Sequence, residues 1–98
     1  MMSIFKTIDE KFAEVGFVKV KESHIFIRYQ RYNKKYNYIQ TLDLLHKISG
    51  RCIVQSYDAN LSDVKGIGHT CVGLSMYEMK LCIKKMKQVG WKMRKVGV

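Results

Sequence analysis

The sequence predicts an α+β fold: a helix, a four-stranded antiparallel meander and a second helix, with both helices on one face of the sheet. Three observations support this prediction. Apolar residues recur at helical spacing near both ends of the chain, they alternate with polar residues in the middle, and turn residues separate the alternating segments. A chain of 98 residues can bury one hydrophobic core, so we expect a single domain over residues 1–98.

The first helix is predicted to end before Gly16. Ser3 or Thr7 can cap its N-terminus, because both side chains accept hydrogen bonds from backbone amides. Gly16 can adopt the left-handed conformation that ends a helix, and Phe17 then lies where a Schellman motif contacts Phe12. The apolar stripe of this helix comprises Ile4, Phe5, Ile8, Phe12 and Val15.

The segment from Phe17 to about Tyr57 alternates with a period of two, which is typical of half-buried strands. Turns are predicted at residues 33–35 and 49–50. The third strand then runs from Tyr36 to about His46 and the fourth from Arg51 to Tyr57. Residues 42–45 also fit the start of a short helix, and we assign them to the strand. Residues 58–73 form a long polar loop, which is either functional or mobile.

The last helix is predicted from a capping box between Ser75 and Glu78. Gly90 and Trp91 are a glycine followed by an aromatic residue, the same pattern that is predicted to end the first helix. Leu81 falls outside the apolar stripe, so it is either a contact with a partner or a second copy, or an isolated exposed leucine. The predicted stripe comprises Met79, Cys82, Ile83, Met86 and Val89.

The charge of the chain is strongly positive. Eighteen lysines and arginines against eight acids give a net charge of +10 and a pI of about 9.7. Such an excess attracts polyanions, so nucleic acid, nucleoprotein complexes and acidic protein surfaces are the expected partners. Solubility is the alternative explanation. Seven cations face no acid after Glu78: Lys80, Lys84, Lys85, Lys87, Lys92, Arg94 and Lys95.

The predicted binding surface combines the uncovered sheet face, a hairpin and one edge of the last helix. The hairpin interleaves cations, which neutralise phosphates, with tyrosines, which can stack on bases. If the side chains of Ile25 and Ile27 face the helices, the nearby strand residues whose side chains point the other way lie on the open face of the sheet. The predicted binding residues are Lys19, Lys21, Phe26 and Arg28 on that face, Arg31, Tyr32, Lys34, Lys35 and Tyr36 in the hairpin, and Lys80, Lys84 and Lys87 on the helix.

Each part of this surface has a simpler explanation. Tyrosines are good strand formers, and two lysines keep a hairpin tip soluble. Lysines near the C-terminus of a helix interact favourably with its dipole without any ligand. No sequence motif of a known nucleic-acid-binding module is present.

No catalytic residue, metal or cofactor is predicted. The loop of residues 66–73 is the one segment that resembles an active site, because its glycines can form an anion nest and His69 lies near Cys71. Cys71 could act as a nucleophile, or both residues could bind zinc with Cys52 or Cys82. The alternative is a flexible connection with a buried Cys71. The three cysteines contain no C-x-x-C pair, so free buried thiols are expected.

The chain is predicted to be a soluble cytoplasmic protein without a membrane segment. Asp9 and Glu10 interrupt the N-terminal segment where a secretory signal would be apolar, and no apolar run reaches about 18 residues.

Three segments carry a resemblance to a broad class of proteins. They are residues 46–51, residues 55–58, and Gly73-Leu74-Ser75 before the lysine-rich helix. In these segments the chain resembles small proteins encoded by phages and prophages of AT-rich Gram-positive bacteria. The resemblance implies a setting in which small proteins bind and block host nucleases or other defence complexes.

The leading hypothesis is a non-enzymatic protein that binds nucleic acid or nucleoprotein, because the excess of cations is the strongest signal in the sequence. One alternative is a phage-derived inhibitor or accessory factor of a host enzyme. The other is a small thiol enzyme that uses Cys71 and His69.

Overall fold

The computed structural model describes residues 6–58 and 70–91, which form two helices and a five-stranded antiparallel sheet of order β1-β2-β3-β4-β5. The predicted α+β order of helix, four-stranded meander and helix is confirmed. A two-residue fifth strand, which the sequence pattern did not predict, pairs with the end of β4. The elements are α1 Ile8–Glu14, β1 Val18–Glu22, β2 Phe26–Asn33, β3 Tyr38–His46, β4 Cys52–Asp58, β5 Thr70–Cys71 and α2 Met76–Gln88.

Both helices begin with a capping box. The Thr7 hydroxyl accepts a hydrogen bond from the Glu10 amide, and the Glu10 carboxylate accepts one from the Thr7 amide, both at 3.1 Å. Ser75 and Glu78 make the same two bonds, at 3.1 and 2.9 Å. Thr7 is therefore the cap of α1. Ser3, Ile4 and Phe5, named in the sequence prediction, lie outside the described residues.

Both helices also end as predicted, in Schellman motifs. The Phe17 amide donates to the Phe12 carbonyl, and the Trp91 amide donates to the Met86 carbonyl, each at 2.9 Å. Gly16 has a φ of +93°, which only glycine adopts without strain. The motif turns the chain so that the aromatic residue after each glycine packs back into the core.

The hydrophobic core lies between the helices and one face of the sheet. Ile27 and Tyr29 of β2 and Leu42 and Leu44 of β3 supply the sheet side. The pairing of β3 with both β2 and β4 confirms that residues 42–45 belong to a strand. The ring of Phe12 stacks on that of Tyr29 at 4.1 Å between centroids. The helix side and its flanks contribute Phe12, Phe17, Leu81, Cys82, Met86 and Trp91.

The buried stripe of α2 differs from the predicted one. Leu81 is 1% exposed and belongs to the core, so its prediction as a partner contact or exposed leucine is wrong, whereas Met79 is 38% exposed. Two charged residues, Glu78 and Lys85, lie within the true stripe. They are tolerated there because partners on neighbouring elements neutralise them. A pattern based on apolar residues alone therefore places the stripe too far around the helix.

Candidate interface on the hairpin and the open face

The register of β1 changes at a bulge, and this changes where its lysines point. Lys19 pairs with Tyr29, whereas Lys21 pairs with Arg28, so Val20 is an extra residue between them. The bulge places Lys19 on the face covered by the helices and Lys21 on the open face. The predicted position of Lys19 on the open face is therefore wrong, because strict alternation fails at the bulge.

Lys19 belongs to a charge cluster under the helices. Its ammonium lies 3.0 Å from Asp9 and 2.9 Å from Glu22. Lys85, one of the seven cations after Glu78 in a stretch of sequence without acids, reaches the same carboxylates at 3.1 and 3.4 Å. Burial alone would raise the pKa of Asp9, but hydrogen bonds from Tyr29, Lys19 and Lys85 outweigh it and hold the pKa below its ordinary value. The cluster joins α1, α2 and β1.

Arg31 also lies on the covered face, where it connects both helices to the sheet. Its guanidinium donates to the Glu78 carboxylate, to the Val15 carbonyl at 2.9 Å and to the Gln40 side chain at 2.7 Å. The same group lies 4.2 Å above the Phe17 ring centroid. The guanidinium of Arg31 is therefore used in contacts within the fold.

The centre of the open face carries a polar network that joins β2, β3 and β4. Arg28 donates two hydrogen bonds to Asp43, at 2.8 and 3.1 Å, and a third to the Tyr57 hydroxyl at 3.2 Å. Tyr57 in turn donates to Asp43 at 2.7 Å. The bond to Asp43 raises the pKa of Arg28. Asp43 is 4% exposed although neither helix of the described ranges covers this face, because the neighbouring side chains shield it.

One end of the open face is apolar. Phe26, Leu45 and Ile53 stand side by side on β2, β3 and β4, and all three are half-buried. The Phe26 ring has the Lys21 ammonium at 5.4 Å and the Arg28 guanidinium at 5.1 Å from its centroid. Phe26 therefore lies amid cations on the open face, as predicted.

The β2–β3 hairpin presents aromatic rings and cations together. Tyr32 is 58% and Tyr36 68% exposed, and Lys34 and Lys35 between them are exposed. The Lys35 ammonium lies 5.2 Å from the Tyr36 ring centroid. Neither lysine forms an ion pair within the described part of the chain. This five-residue segment, 32–36, is called the hairpin tip below.

The hairpin tip has a defined backbone. The Tyr36 amide donates to the Asn33 side chain at 3.1 Å, and the Tyr32 hydroxyl donates to the Asn37 side chain at 2.6 Å. Asn37 adopts a left-handed conformation with a φ of +53° that closes the turn. Tyr32 points to the same side of β2 as Arg28, so the hairpin tip continues the open face.

The predicted helix edge lies on the other side of the molecule. Lys80, Lys84 and Lys87 are exposed, and the buried stripe of α2 faces the sheet. Successive positions of a helix rotate by about 100°, which places these three lysines on the outer surface of the helical layer. The sheet therefore separates them from the open face, and they do not form one surface with the hairpin tip.

Two cavities have no counterpart in the sequence prediction. One, of about 410 Å³, lies beside β4 and is lined by Val54, Gln55, Ser56, Tyr57, Cys71, Val72 and Leu74. The other, of about 560 Å³, lies where Trp91 stacks on His46 at 5.3 Å between centroids. The first cavity has an apolar floor that arises from the pairing of β4 with β5, which local sequence pattern does not reveal.

The cysteines do not assemble a site within residues 6–58 and 70–91. Cys82 is buried, and burial raises the pKa of its thiol to about 12. Cys71 is exposed on β5, so the expectation of a buried thiol is wrong there. His69, its predicted partner, lies outside the described residues. No group of three potential metal ligands occurs in the part of the chain that the structure describes.

Comparisons with protein-family models, with curated proteins and with solved structures find no match. Across the described ranges, neither helix has the length and apolar character needed to cross a bilayer.

Proposed function

We propose that this protein is a non-enzymatic binding protein of the cytoplasm that engages single-stranded nucleic acid through the hairpin tip. The observation that carries the proposal is the combination of two exposed tyrosine rings, Tyr32 and Tyr36, with two lysines that make no ion pair with a described residue. Stacking on aromatic rings and neutralisation of phosphates are the two interactions that bind single strands without sequence preference.

The internal pairing of the other cations favours the hairpin tip over the rest of the predicted surface. Lys19, Arg28 and Arg31 hold carboxylates at hydrogen-bond distance, so their release to a phosphate would leave those acids unpaired. Binding of a phosphate by Lys34 or Lys35 would leave no described carboxylate unpaired. A single strand that crosses the tip can then extend over the open face toward Phe26, where Lys21 supplies a further charge.

Tyr36 provides the sharpest test of stacking. We expect Tyr36→Ala to weaken binding of a fluorescein-labelled oligothymidylate of about 12 nucleotides by about 5- to 150-fold, because one stacked base contributes about 1–3 kcal/mol. Tyr36→Phe keeps the ring and should bind within about twofold of the original protein. Fluorescence anisotropy at low salt measures both affinities. Since Tyr36 is 68% exposed, neither change should unfold the protein.

Equal affinities of the alanine and phenylalanine variants would contradict stacking at Tyr36. Absence of binding to single-stranded DNA and RNA even at low salt would contradict the proposal as a whole. The same titration with duplex DNA serves as the comparison, because paired bases cannot stack on a side chain at the surface.

A second candidate function is binding to a host protein, as a phage-derived inhibitor or accessory factor. The half-buried row Phe26, Leu45 and Ile53 favours it, as does the internal neutralisation of Arg28 by Asp43 on the same face. An apolar patch with few unpaired charges is typical of the centre of a protein interface. If no oligonucleotide binds at low salt, this second candidate becomes the leading one.

A further inference from the structure

The two edges of the sheet differ in how they are protected. β1 carries a bulge at Val20 and two lysines, Lys19 and Lys21, and these features discourage pairing with another strand. The outer edge of β4 has no such feature over residues 52–55, whose sequence is Cys-Ile-Val-Gln, without charge or proline. Among the described residues, β5 covers β4 only at Tyr57 and Asp58, although β3 pairs with β4 along its full length.

The backbone of β4 offers hydrogen-bonding groups along this edge. The Ser56 carbonyl points outward, because it accepts a hydrogen bond from the Val72 amide at 2.9 Å. Backbone groups of a strand alternate in direction with a period of two, so the amides and carbonyls of Val54 and Cys52 also point outward. Within the described ranges, no strand pairs with these two residues on that side.

An apolar cavity adjoins the same edge. Its volume is about 410 Å³, and Val54, Val72 and Leu74 supply apolar lining. A strand added beside β4 alternates its side chains between the two faces of the sheet, and every second side chain would enter this cavity. The edge therefore combines backbone groups that give affinity with a cavity that selects apolar side chains.

One end of the outer edge of β4 carries a positive charge. Arg51 immediately precedes β4, is exposed and forms no ion pair with any described residue. A strand that extends the line of β5 runs antiparallel to β4, so its C-terminal end lies beside Arg51. An acidic side chain near that end would pair with Arg51.

We propose that the outer edge of β4 is a docking site for an extended peptide segment of a partner protein, with apolar residues at alternate positions and an acidic residue near its C-terminal end. The peptide binds antiparallel to β4 by strand addition over residues 52–55, because the Ser56 carbonyl already accepts the Val72 amide. This site is separate from the hairpin tip, and it does not depend on the proposed binding of nucleic acid.

The probe is a fluorescein-labelled octapeptide in which valine and threonine alternate and a single aspartate stands next to the C-terminus. We expect saturable binding, with new protection of the Val54 amide from hydrogen exchange. A peptide of the same composition with its aspartate next to the N-terminus should bind roughly threefold to tenfold more weakly. A peptide N-methylated at the amides that face β4 should lose binding by tenfold or more, because each methyl group removes a donor and blocks close approach.

A charge exchange tests the register without altering the fold. Arg51→Glu should weaken binding of the aspartate peptide and should prefer a peptide with lysine in place of the aspartate. Lys47→Glu is the matched control, since Lys47 is an exposed cation of the same turn whose amide bonds to the Arg51 carbonyl from the β3 side, one strand farther from the outer edge of β4. It should leave the preference for aspartate unchanged.

Three results would overturn the proposal. One is equal affinity of the parent and N-methylated peptides, which would exclude strand addition. Another is a Val54 amide already strongly protected in the free protein, which would mean that the edge is occupied within the chain. The third is self-association measured by analytical ultracentrifugation that is abolished on blocking this edge, which would assign it to a second copy of the chain.

Discussion

Arg31→Met is expected to lower the free energy of unfolding by about 3–5 kcal/mol, because it leaves the buried Glu78 carboxylate without its cation. The change also removes the hydrogen bonds to the Val15 carbonyl and to Gln40. Urea denaturation at neutral pH measures the effect. Lys34→Met, which replaces an exposed cation without an ion pair to any described residue, is the control and should change stability by less than about 0.5 kcal/mol. Similar stabilities for the two variants would contradict the role assigned to Arg31.

The pH dependence of the stability of Arg31→Met tests whether the lost stability comes from Glu78. Burial would raise the pKa of Glu78, but the bonds from Ser75 and Arg31 outweigh burial and lower the pKa from its ordinary value of 4.5. A lowered pKa in the folded state stabilises the protein above pH 4.5, and this contribution is lost as the pH falls through the folded pKa. Removing Arg31 raises the pKa of Glu78. As the pH falls, Arg31→Met should therefore begin to lose the stability that ionised Glu78 contributes at a higher pH than the original protein does.

Leu81→Ala is expected to cost about 2–5 kcal/mol in the free energy of unfolding, since it deletes a fully buried side chain from the core. Met76→Ala, at an exposed position of the same helix, should cost less than about 0.5 kcal/mol. Thermal and urea denaturation measure both. A small effect at Leu81 together with altered self-association would support the partner contact that the sequence suggested, and would contradict its place in the core.

The parts of the fold that the sequence predicts well are those with local causes. Thr7 and Ser75 cap their helices through bonds to residues three positions later, and Gly16 ends α1 through its own backbone conformation. Such signals depend on a few neighbouring residues, so they can be recognised without tertiary structure. The order of elements follows from them and from the change of period between helix and strand.

The errors share a nonlocal cause. The sequence pattern leaves Leu81 and Lys85 outside the predicted buried stripe of α2, because their burial depends on partners in other elements, among them Asp9. Strict alternation places Lys19 on the wrong face, because one extra residue, Val20, reverses the orientation of the strand before it. The cavity beside β4 is created by the short pairing with β5, and its lining residues come from segments that are distant in sequence.

The candidate interface is partly predictable for the same reason. The hairpin tip is a continuous segment, so the interleaving of Tyr32, Lys34, Lys35 and Tyr36 is visible in the sequence. The pairing of Arg28 with Asp43 and of Arg31 with Glu78 is not, because each pair joins residues far apart in the chain. These pairs remove two cations from the predicted surface and leave the hairpin tip as the proposed centre of binding.

The salt dependence of oligothymidylate binding tests that proposal most directly. Each phosphate of a single strand that a cation neutralises adds about 0.7 to the slope of log K against log salt, so the double variant Lys34→Ala/Lys35→Ala should reduce its magnitude by about 1.4. The matched variant Lys80→Ala/Lys84→Ala, on the opposite side of the sheet, should leave the slope unchanged. An unchanged slope in the hairpin variant, or an equal reduction in the helix variant, would contradict binding at the hairpin tip.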